Sequence, residues 1–223
     1  MRALNAIQAA MARTTLFAIM LFAALNTQAS AHPHVFVTGS SELVFGEGKE
    51  IAAVRHRWTF DEMFSTMATQ GLDTDGDGKF SREELADLAK INVESLAEYD
   101  FFTFLETDDT LAEFAEPVDY WLDYADGQLT LNFTLPVKNG FSLADRPVDF
   151  SVYDPSFFVA FTQDATKQVA LVHAPAGCTA KTTKPQDVEK MQSTTIADAL
   201  VMDAGPDANF GEEFAGKVAI SCK

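Results

Sequence analysis

Twelve consecutive residues, Asp73 to Glu84 (D-T-D-G-D-G-K-F-S-R-E-E), place oxygen donors at the spacing of a calcium-binding EF-hand loop. Asp73, Asp75 and Asp77 fill positions 1, 3 and 5, Gly78 supplies the sharp turn at position 6, and Lys79 offers its backbone carbonyl at position 7. Ser81 at position 9 ligates directly or through a water, and Glu84 at position 12 can bind through both carboxylate oxygens. Four carboxylates this close repel one another unless a cation sits among them, and a hard ion with flexible coordination, Ca2+, suits such a cage. The plain alternative is an acidic turn between two helices. The simultaneous fit of every position favours calcium.

A second set of potential ligands lies near the start of the chain. Residues 1–31 read as a secretory signal peptide: Arg2 and Arg13 with no acidic residue, the apolar run Leu16 to Leu25, then small residues ending Ala29-Ser30-Ala31. Cleavage there leaves His32 as the first of 192 residues and shifts the net charge from −17 to −19. A free N-terminal amine and the imidazole of His32 can chelate one ion, with His34 as a third nitrogen donor, a set that suits Zn2+, Ni2+, Co2+ or Cu2+. Pro33 has no amide hydrogen to lose, which blocks the square-planar chelate built on successive deprotonated amides.

Such acidity disfavours a nucleic-acid role. No other apolar run is long enough to span a bilayer, so the expectation is a periplasmic protein without a membrane span after signal removal. Cys178 and Cys222 would meet an oxidising compartment, and a disulfide is expected between them. Free buried thiols or a soft-metal site are the alternatives; without a nearby histidine pair the spacing is a poor zinc signature.

The elements that must position these groups are mostly strands. Residues 34–60 alternate as a hairpin about the turn Gly46 to Lys49. A turn centred on Glu47 and Gly48 sets Val35 opposite Phe60 and Val37 opposite Trp58, with Val35, Val37, Val54, Trp58 and Phe60 on the core face. That register also brings His34 opposite Asp61, which makes Asp61 a candidate carboxylate ligand. His56 shares the core face and reads as a packed, hydrogen-bonded histidine; His173, at a strand end, is undecided.

Thr59 and Glu62 have the spacing of a capping box, starting an entering helix that runs to Gly71, and an exiting helix follows the loop to near Tyr99. Strands are expected at 101–106, 118–124, 128–135, 147–153, 157–161, 168–173 and 218–222, with a loop over 174–184 and a helix after Pro185 through Leu200. The fold class is therefore α+β, mainly β: one β-sandwich-like domain over 32–223 with an EF-hand inserted at about 60–99 and a C-terminal helix. Trp58 and Trp121 are expected in the core.

Four segments together resemble a known bacterial family: H-P-H-V-F after the cleavage site, R-W-T-F-D-E-M-F-S before the acidic loop, V-Y-D-P-S-F-F-V at 152–159, and the closing F-A-G-K-V-A-I-S-C. The family is one of exported proteins of unknown function, labelled the periplasmic component of an uncharacterised ABC-type transport system. The matching positions are His32, His34, Trp58, Asp61, Tyr153, Asp154 and Cys222. The resemblance implies a link to transition-metal traffic and carries over no catalytic residue.

Two functions follow as expectations. One is a calcium-binding protein that also binds or delivers a transition metal as an accessory of metal transport. The other is a calcium-stabilised adaptor for a partner such as a membrane transporter subunit, with no transition-metal site. An oxidative copper enzyme built on the N-terminal histidines ranks below both, because the sequence holds no catalytic signature.

Overall fold

Alternating apolar residues from Val35 onward force the chain to bury one face of each strand, and the partner strands supply the cover. The computed structural model describes residues 33–143, 146–163, 169–184 and 210–223, all within the unit His32–Lys223. Strands β1 (Val35–Phe45), β2 (Glu50–Phe60), β5 (Val118–Ala125), β6 (Gln128–Ser142), β8 (Val159–Gln163) and β9 (Ala170–Val172) form one sheet, in the order β5-β6-β2-β1-β8, with β9 also on β1. The second sheet holds β3 (Thr103–Thr107), β4 (Thr110–Leu111), β7 (Val148–Val152), β10 (Cys178–Lys184) and β11 (Lys217–Cys222), in the order β10-β11-β7-β3-β4. The expected mainly β, two-sheet α+β class is what the chain adopts.

The sheets bury their inner faces against each other. Leu43, Ile51 and Val54 of the first pack with Leu105, Val148, Phe150 and Ile220 of the second. Each such side chain contributes about 1.5–3 kcal/mol of burial. At the other end of the first sheet, Trp58, Phe60, Leu131 and Phe161 pack with Ala89 and Val93 of a helix. Helices α1 (Glu62–Ala68) and α2 (Ala86–Leu96) flank the acidic loop, and α3 (Phe210–Phe214) precedes β11.

Several expectations are corrected. In the β1–β2 hairpin Val37 lies opposite Phe60, not Trp58, so the strands are slid by two residues. The turn closes with Gly46 N–H on Glu50 O at 3.0 Å, and the ladder then skips Ala52 between Val44–Ala53 and Phe45–Ile51. A slide of two keeps every side chain on its face, so Val35, Val37, Val54, Trp58 and Phe60 are all buried as expected. It does move Asp61 away from His34 and onto Phe36.

Thr59 does not cap the helix. It sits inside β2, its hydroxyl 3.0 Å from that of Thr130, and Asp61 is the N-cap. The stretch 174–184 is not all loop: Cys178–Lys184 pairs with β11. Its Thr and Lys residues carry no apolar alternation, as befits an edge strand. The exiting helix ends at Leu96 and tightens into a 3-10 turn through Phe102. There Asp100, Phe101 and Phe102 have φ of 49°, 54° and 49°, a strained conformation for two phenylalanines. Both rings are buried, and that packing holds the turn. The segment 1–31, His32 and the expected helix through Leu200 lie outside the described residues.

Candidate functional site

The acidic loop is positioned from both sides. On the entry side Asp61 accepts the Phe64 N–H at 2.9 Å and starts α1, and Ser65 anchors that helix to the sheet by accepting Leu129 N–H at 2.9 Å. Gly71, at φ 81°, turns the chain out of the helix, a conformation that costs glycine little. On the exit side Ser81 and Glu84 form a reciprocal pair: Ser81 N–H donates to Glu84 Oε2 at 2.9 Å, and Glu84 N–H donates to Ser81 Oγ at 3.3 Å. This is a capping box, S-R-E-E, legible in the sequence but not singled out there.

Within the loop the carboxylates are oriented by backbone N–H groups. Asp73 accepts from Gly76 at 2.8 Å and from Gly78 at 3.0 Å. Asp75 accepts from Asp77 at 3.1 Å, and Asp77 from Lys79 at 2.8 Å. Glu84 reaches across the loop, its Oε1 accepting from Thr74 N–H at 2.7 Å. Hydrogen bonds from the Ser81 and Thr74 backbones, then from their hydroxyls, hold the Glu84 carboxyl down at about 2.

As a result Asp73, Asp75 and Glu84 each bring a carboxylate oxygen within 4.8 Å of the other two, the one such group among the described residues. Asp77 stays outside that group, and Lys79 and Ser81 stand exposed on the same loop. The donor set is all hard oxygen and carries negative charge, which fits a divalent cation of the calcium type.

The back of the loop is clamped to β5. Phe80 packs edge-on against Tyr124 at 4.7 Å between ring centroids. Arg82 forms a 2.8 Å ion pair with Asp123 and lies 4.9 Å over the Trp121 ring. Trp121, whose Nε1 donates to Asp123 at 2.8 Å, is half-buried under this arginine rather than in the core. Trp58 is in the core, 2% exposed.

The N-terminal candidates are arranged differently. His34 is exposed, donates its N–H to Phe158 O at 2.9 Å and sets its ring 4.6 Å from that of Phe158. Both Asp61 oxygens accept backbone N–H groups, one from Phe36 and one from Phe64. Neither residue belongs to a convergent group of three ligands among the described residues.

His56 is a core residue, as its place on the sheet implies. The Thr103 hydroxyl donates to Phe101 O at 2.7 Å, so it accepts from His56 Nε2–H at 3.1 Å. Nδ1 in turn accepts the Ser41 hydroxyl at 3.0 Å. The ring thereby links the two sheets, and burial lowers its pKa to about 3. His173 is exposed at a bend with φ 58°. Cys178 and Cys222 are directly opposite across β10 and β11 and form the disulfide. No helix among the described residues is long and apolar enough to cross a membrane.

Fold and site together define a two-sheet β protein carrying a helix-flanked acidic loop. The chain belongs to the family described as "Protein of unknown function (DUF1007)", whose model matches residues 17–222. It is similar to an "Uncharacterized protein" of Haemophilus influenzae, 24% identical over 195 residues, covering 86% of this chain and 92% of that one. It is also similar to the "Uncharacterized 15.5 kDa protein in trpE 3'region" of Spirochaeta aurantia, 33% identical over 100 residues, which cover 44% of this chain and 70% of that one. No solved structure matches.

Proposed function

We propose that this is an exported, periplasmic calcium-binding protein in which Asp73, Asp75, Asp77, Lys79, Ser81 and Glu84 act as the ligands of a single EF-hand loop. The convergence of Asp73, Asp75 and Glu84, the first, third and twelfth loop positions, within 4.8 Å carries this reading. The ion offsets the repulsion among the carboxylates and locks α1 and α2 onto the sheet, a role of structural brace rather than of sensor. The protein serves a metal-transport system as a non-enzymatic accessory.

The bond pattern at Asp61 favours the narrower version, in which calcium is the sole metal and the protein is an adaptor for a transporter subunit. With one oxygen holding Phe36 and the other Phe64, a transition-metal site would rest on His32 and His34 alone.

Elemental analysis of the natively exported protein, alongside a His32→Ala, His34→Ala double variant, decides among these. Calcium in both proteins supports the EF-hand reading, and its absence from both removes it. Zinc, nickel, cobalt or copper lost in the double variant establishes the second site. Equal transition-metal content in both leaves the adaptor.

A further inference from the structure

A cavity of about 410 Å³ opens between the first sheet, the C-terminal end of α2 and the segment 154–158. That volume is in the range of small-molecule sites. Its wall is aromatic and organised: Trp58 meets Phe161 edge-on at 4.9 Å, Phe161 meets Phe102 at 5.3 Å, and Trp58 lies 6.5 Å from Phe102. Tyr99 stacks on Phe102 at 5.4 Å. Tyr99 and Phe158 line the cavity while remaining 54% and 45% exposed, which places them at its mouth.

Asp154 also lines the cavity. It is 3% exposed, and it is the only charged side chain among the described residues lining the cavity. Its carboxylate accepts from Ser156 N–H and hydroxyl at 2.8 Å each and from Val159 N–H at 2.9 Å. These donors are all uncharged, so among the described residues the carboxylate is hydrogen-bonded but not paired with a cationic side chain. A buried carboxylate without a counter-ion favours a cation.

We propose that this cavity binds a small organic cation, an alkylated ammonium group held among the aromatic side chains that line it and Asp154. Electron-rich ring faces attract an ammonium that carries its own apolar substituents. A bare metal ion suits the cavity poorly, since Asp154 is the one carboxylate among the described lining residues and most of the wall is hydrocarbon, which cannot replace a hydration shell. Anions are rejected by the carboxylate. The site is separate from the acidic loop and does not depend on the calcium reading.

The test uses Trp58 as reporter in a Trp121→Phe protein, since the chain has two tryptophans. Emission is followed on addition of choline and of its uncharged isostere 3,3-dimethylbutan-1-ol, at constant ionic strength. Saturable change with choline, and binding of the isostere weaker by about tenfold or more, is the expected result. Tyr99→Ala should weaken choline about tenfold while Tyr99→Phe stays within about twofold, and Asp154→Asn should abolish the preference for the charged ligand. Should Asp154→Asn fail to fold, the two Tyr99 variants still decide. Equal affinity for choline and isostere, no change in emission with choline, or equal choline binding by the Tyr99→Ala and Tyr99→Phe proteins overturns the proposal.

Discussion

Phe36 and Asp61 hold each other by two hydrogen bonds, Asp61 N–H to Phe36 O and Phe36 N–H to Asp61 Oδ2, each at 2.9 Å. The second carboxylate oxygen caps α1 at Phe64. One side chain thus ends a strand pairing and begins the helix that leads to the acidic loop. Asp61→Ala should cost about 1–2 kcal/mol, the range for losing an N-cap acceptor, and Asp61→Asn clearly less. Urea unfolding of the two variants checks this; equal losses would show that the cap acceptor is not what matters.

Calcium should raise the melting temperature of the wild-type protein by mass action, with about 2.7 kcal/mol of added stability when the free ion is 100 times its dissociation constant. Glu84→Gln weakens the twelfth-position ligand and should lose most of that gain. Thermal scans with calcium and with chelator measure it, and a Glu84→Gln protein that keeps the full gain would falsify the EF-hand assignment.

His56 predicts an acid dependence whose sign follows from burial. Its folded pKa lies near 3 against an ordinary 6.5, so above pH 6.5 both states are neutral there and the stability is fully present. Below 6.5 only the unfolded chain takes up the proton, and stability falls by up to about 1.4 kcal/mol per pH unit until the folded pKa is reached. His56→Gln removes that component. Unfolding free energies from pH 7 to 4 should show a shallower slope in the variant; identical slopes would mean that His56 is protonated in the fold.

The Cys178–Cys222 bridge closes a 44-residue separation between the two edge-side strands. Loop-entropy arithmetic for that length gives about 4 kcal/mol at 25 °C. A Cys178→Ser, Cys222→Ser double variant should lose an amount of that order in urea titration. A loss of under about 1 kcal/mol would place the stability of this ladder in its hydrogen bonds alone.

Gly211 allows α3 to sit on the 154–158 segment. Its N–H donates to Pro155 O at 3.1 Å, and a Cβ there would overlap the carbonyl oxygen of Asp154. Backbone cannot yield as a flexible side chain does, so Gly211→Ala should cost at least about 1–3 kcal/mol. Calorimetry reads the shift, and an unchanged melting temperature would show that α3 can lift away freely.

Much of the candidate site is local, and local spacing was enough to find it. The twelve-residue loop has its donors, glycines and capping serine in one contiguous stretch, so no distant partner is needed to place them. Alternation along 34–60 set the buried face of the hairpin, because a strand's side chains change sides with every residue. The place of His56 among the core residues followed from the same alternation, and with two cysteines there was only one intramolecular pairing to expect.

Tertiary structure decided what alternation cannot register. A slide of two residues leaves every face unchanged, so the bulge at Ala52, and with it the partner of Asp61, was invisible in the sequence. The polar strand Cys178–Lys184 exists because β11 lies beside it. The left-handed turn at Asp100–Phe102 is held by rings buried against distant strands. The aromatic cavity joins residues from five stretches of the chain between Val35 and Phe161, a proximity that depends on chain closure over long separations and leaves no periodic mark on the sequence.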